Sequence, residues 1–134
     1  MYNILVVDDE EKMVFLERMC QLRWKHKAYF SEGEMLRPPV CLDPMPMFVT
    51  DSSMGMDEML PAPEVVSCAW CCDGSRLLAF ANTGVQERTL CFDCHGPVDP
   101  ECDVQTYGEV DILKIDGSRL TLRMGGASAL TMEM

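Results

Sequence analysis

Val110-Asp-Ile-Leu-Lys-Ile-Asp116-Gly117-Ser-Arg119-Leu-Thr-Leu-Arg-Met124 is the stretch that decides the fold class of this chain. Two apolar-rich runs flank an Asp-Gly pair, which suits the positive φ angles of a two-residue type I′ turn. The stretch therefore reads as an antiparallel β-hairpin with Asp116-Gly117 at its tip. Upstream, Leu77 to Phe80 and Arg88 to Phe92 read as two more strands, joined by Ala81-Asn82-Thr83-Gly84 as a turn. The string Asp-Gly-Ser-Arg-Leu occurs at both 73–77 and 116–120, which shared turn chemistry explains. Downstream, Gly125 onward reads as a loose tail.

Before residue 64 the pattern changes. Tyr2 to Val7 is a short β-branched apolar run, read as a buried strand. Asp8, Asp9 and Glu10 follow where carboxylates favour a helix start. Met13, Leu16, Cys20 and Trp24 then recur at helical spacing, predicting a helix from about Glu11 to Lys25 with that stripe as its apolar face. Pro38, Pro39, Pro44, Pro46, Pro61 and Pro63 break up the middle. Between them, Met47 to Thr50 reads as a short strand ending at Asp51. Pro61-Ala62-Pro63 is the best boundary, giving an N-terminal strand–helix unit at 1–63 and an antiparallel β unit at 64–134. The expected class is α+β.

Composition narrows the function. In a chain of 134 residues, hydrophobic residues make up 48% and charged residues 25%, as in ordinary globular domains. No apolar run approaches the roughly 20 residues that span a bilayer, and the start lacks the basic and apolar regions of a secretory signal. The expectation is a cytoplasmic protein, in which eight cysteines point to metal more than to disulfides. A net charge of −11 disfavours nucleic acid and favours a protein partner with a basic surface. The one basic cluster, Arg23 to Lys27, reads as a solvated helix end that could otherwise grip an acidic partner or a phosphate.

Cys68-Ala-Trp-Cys71 and Cys91-Phe-Asp-Cys94 are two Cys-x-x-Cys pairs with a predicted hairpin between them. Zinc takes four tetrahedral ligands, and a two-residue spacer lets one tight knuckle present two sulfurs to it. From about Val65 to Pro97 the layout resembles the zinc-ribbon family. The resemblance implies a structural Zn²⁺ on Cys68, Cys71, Cys91 and Cys94, with Cys72, His95 or Cys102 as possible substitutes. Thiolate-bound zinc can supply on the order of 10 kcal/mol, enough to matter in a small β unit. The segment Cys91-Phe-Asp-Cys94-His95 also resembles the haem-attachment motif of c-type cytochromes, which would imply haem c on both thiols with His95 as axial ligand.

Ile4-Leu-Val-Val-Asp8-Asp9-Glu10, with the helix after it, resembles the opening of a response-regulator receiver domain. Phe48-Val-Thr-Asp51-Ser-Ser-Met-Gly resembles the stretch around that family's phosphoacceptor. The resemblance implies Mg²⁺ held by Asp8 and Asp9, a phosphoryl group on Asp51, and parallel N-terminal strands. Three functions follow: a non-enzymatic, zinc-stabilised protein-interaction module, which is the preferred reading; a phosphate-accepting signalling domain; and a haem electron carrier.

Overall fold

Strand β10 (Arg119–Met124) alternates buried and less buried side chains, as period-two geometry predicts for a strand with one face on a core. The computed structural model describes residues 10–51 and 59–134. Helix α1 (Glu10–Lys25) is followed directly by α2 (Lys27–Glu32). The described strands are β1 (Glu34–Leu36), β2 (Val40–Cys41), β3 (Met47–Asp51), β4 (Met59–Pro63), β5 (Val65–Cys72), β6 (Ser75–Asn82), β7 (Arg88–Asp93), β8 (Asp103–Tyr107), β9 (Val110–Asp116), β10 (Arg119–Met124) and β11 (Ser128–Glu133).

These strands form a five-stranded sheet in the order β1-β5-β6-β11-β8, a four-stranded sheet β2-β7-β10-β9, and the separate ribbon β3-β4. Every pairing is antiparallel. The two larger sheets pack face to face. Leu78, Phe80, Leu130 and Met132 from one meet Leu90, Phe92, Leu120 and Leu122 from the other in a single buried cluster. The Phe80 and Phe92 rings tilt together at 4.9 Å between centroids. The helices lie on the outer face of the five-stranded sheet, where Phe30 sits edge-on to Trp70 at 5.1 Å and Tyr29 is buried. The fold is mixed but mostly β, in three layers: helix, five-stranded sheet, four-stranded sheet.

Several expectations change. The segment after Gly125 is no tail: β11 sits between β6 and β8, with Leu130 and Met132 fully buried. Residues 81–84 are no hairpin turn either. They begin a crossover from β6 in one sheet to β7 in the other, and Asn82 closes the corner by donating through Nδ2 to the Gln86, Met124 and Gly125 carbonyls. The β9–β10 hairpin is present, but Asp116 pairs with Arg119, so the turn is Gly117-Ser118 with Gly117 at φ +60°. That places glycine first, as in a type II′ turn.

Helix α1 matches its expected span, yet Leu16, Cys20 and Trp24 are exposed, Trp24 by 71%. The strand at Met47–Asp51 is present and pairs antiparallel with β4; its expected neighbour Tyr2–Val7 lies outside the described residues. Strands β1 and β2, both before Pro61, pair with β5 and β7. Residues on either side of the expected boundary at 63 thus share the same two sheets.

Candidate functional site

The cross-strand register on the outer face of the five-stranded sheet produces a site. Cys68, Ala79 and Thr131 form one row, Val66, Ala81 and Ala129 the next, and Trp70, Leu77 and Glu133 the row beyond. Three alanines and a threonine leave the middle of this face low. Residues Met19, Leu22 and His26 of the helical layer cross above it without filling the space. The result is an open apolar cavity of about 460 Å³. At its β1–β5 side, Met35 and Val66 stay 66% and 43% exposed, so apolar surface runs from the cavity to solvent.

The polar groups around the cavity are few. Buried His26 joins α1 to α2, and its Nε2 lies 3.2 Å from Thr131 Oγ1. Burial lowers its pKa from the ordinary 6.5, against an opposing pull from Glu133, so the neutral ring is favoured. Beside it, the Tyr29 hydroxyl donates to Glu133 Oε2 at 2.7 Å, and its pKa is pushed up to about 12, first by burial and then by that bond. These two contacts anchor the helical layer to β11. The Cys68 thiol lines the cavity with its pKa raised by burial, while the Trp70 N–H favours its ionised form. Trp70 Nε1 is buried and makes no conventional hydrogen bond.

The expected zinc ligands are distributed differently from a pair of knuckles. Cys68 and Cys71 both lie within β5, and residues three apart on a strand point to opposite faces. Strand β5 is paired without a bulge, so Cys68 faces the helical layer while Cys71 shares the inner face with Ala69. On β7, Cys91 alternates with buried Leu90 and Phe92 and faces away from the core, whereas Cys94 is buried. Burial raises the Cys94 pKa to about 11. The first pair lies in the five-stranded sheet and Cys91 in the four-stranded one. Cys72 ends β5, His95 is exposed with Nε2 3.1 Å from the Pro38 carbonyl, and Cys102 packs half-buried at the core edge. Among the described residues, no group of three or more His, Cys, Asp or Glu is placed to hold a metal ion.

For the haem resemblance, Cys91 lies within β7, and Cys94, just past the end of that strand, is enclosed. For the receiver resemblance, Asp8 and Asp9 lie outside the described residues; Asp51 ends β3.

Sequence reasoning missed the cavity residues. Arg23 to Lys27 is more than a solvated helix end: His26 is buried and Lys25 reaches Asp103 at 4.0 Å. The available signal was alanine at 79 and 81, two apart on one strand face, beside alternating Val66, Cys68 and Trp70. Among the described residues, no helix is long and apolar enough to cross a membrane. No known protein family, curated protein or solved structure matches the chain.

Proposed function

We propose that this chain is a non-enzymatic binding module that holds a small, largely apolar ligand between its helical layer and its five-stranded sheet. The observation that carries this reading is the 460 Å³ cavity over Ala79, Ala81 and Ala129. Its volume falls within the roughly 300–1,000 Å³ usual for small-molecule sites, which are mainly apolar with a few placed polar groups. A non-enzymatic role is supported by the chemistry of the walls. The one thiol there is held toward its protonated, weakly nucleophilic form, and His26 is engaged with Thr131.

Titration with decanol tests the reading. In a Trp24→Phe background the remaining tryptophan, Trp70, lies in the cavity wall, so its emission should change saturably. The cavity-filling variant Ala79→Leu/Ala81→Leu should lose that response while keeping its β circular dichroism. An unsaturable response, or equal binding by the filled variant, would sink the proposal.

A further inference from the structure

We infer that the cavity takes an amphiphile with an anionic head, the head held at the rim by Arg23 and the apolar body lying under α1. This rests on the cavity reading above. The charge distribution carries it. The chain holds 22 acidic residues against 11 Lys and Arg, yet among the described residues no Asp or Glu lines the cavity. Arg23 does line it, exposed at its edge.

Its guanidinium is held 5.7 Å from the Phe30 ring centroid, and Phe30 in turn packs against Trp70. The cation is thus stacked over the cavity wall while staying exposed to solvent. Among the described residues Arg23 has no ion-pair partner. Arg18, Lys27, Arg37 and Arg119 likewise have none, but of these cations only Arg23 lines the cavity. An unpaired guanidinium at an apolar mouth fits a carboxylate or similar head, whose planar oxygens match its paired N–H donors. Inside, the polar pair His26–Thr131 is neutral, and exposed Met35 and Val66 give an apolar tail a continuous path inward. Among the described residues a cationic head would find no counter-charge on these walls.

The experiment compares decanoate, decanol and decyltrimethylammonium, all kept monomeric, by Trp70 emission in the full-length Trp24→Phe protein. Decanoate should bind roughly fivefold more tightly than decanol, as one partly exposed charged hydrogen-bonding contact allows. The cation should bind most weakly. Added salt should shrink the preference, because the contact is near water. Arg23→Gln should erase the preference for decanoate over decanol, and Arg23→Lys should restore part of it. Equal binding of decanoate and decanol, or a preference that survives Arg23→Gln, overturns the anionic head and leaves the cavity reading intact. Saturable binding of none of the three overturns both.

Discussion

Asn82 shows what one buried amide can do at a corner. It is wholly enclosed, its Nδ2 meets three carbonyls at 2.9–3.2 Å, and its Oδ1 accepts the Gly84 N–H at 3.0 Å. Removing it strands several buried polar groups, so Asn82→Ala should cost about 2–4 kcal/mol in urea unfolding. A loss below about 1 kcal/mol would show that water replaces it. His26 gives the pH prediction. Its pKa is lower in the folded chain than the ordinary 6.5, so the unfolded chain binds the proton first as the pH drops. The associated stability is present in full above pH 6.5 and declines as pH falls below it, toward the lowered value. Urea midpoints measured from pH 7.5 to 5.5 should therefore fall on the acid side, and His26→Gln should flatten that slope.

At the scale of elements, one pentapeptide makes two different turns. In Asp73-Gly74-Ser-Arg-Leu77 both Asp73 and Gly74 are the turn, at φ +50° and +82°, whereas Asp116 in the second copy stays in the strand. The difference comes from distant partners: the Gly117 and Ser118 carbonyls accept the Val98 and Cys94 N–H groups at 2.9 and 2.8 Å. A β-branched side chain is strained at positive φ, so Asp73→Val should destabilise by about 1–2 kcal/mol while Asp116→Val stays within about 0.5 kcal/mol. Thermal melts of the two variants decide it. Local signals explain what was legible here. The α1 span, the β9–β10 hairpin and the Met47–Asp51 strand each follow from residues near in sequence. The split of β6 and β7 between sheets does not, because both strands look alike until Asn82 meets Met124. Ser-Ala-Leu-Thr-Met-Glu of β11 has little β-branched or aromatic content, and only its neighbours make it a central strand. The cysteine spacing by itself does not choose a local structure, since Cys-x-x-Cys reads the same on a knuckle and on an extended strand.

The whole molecule rests on the apolar cluster between its two sheets, joined by residues from both sides of Pro61–Pro63. A core of this kind predicts that chelation with EDTA leaves the β signal and the melting temperature unchanged. Collapse on chelation would instead support the zinc-stapled reading of Cys68, Cys71, Cys91 and Cys94. The cavity itself was invisible in the sequence, because emptiness depends on what the helices fail to fill. The place of β11 has one more consequence, for synthesis. Strands β6 and β8 leave the ribosome before the strand that must lie between them. Until residues 128–133 emerge, the Leu77–Phe80 edge has an open side and β8 has no neighbour in that sheet, the condition in which nascent chains stick to one another. Newly made protein should therefore lean on chaperones, and refolding should be slow and all-or-none, governed by late insertion of a single strand.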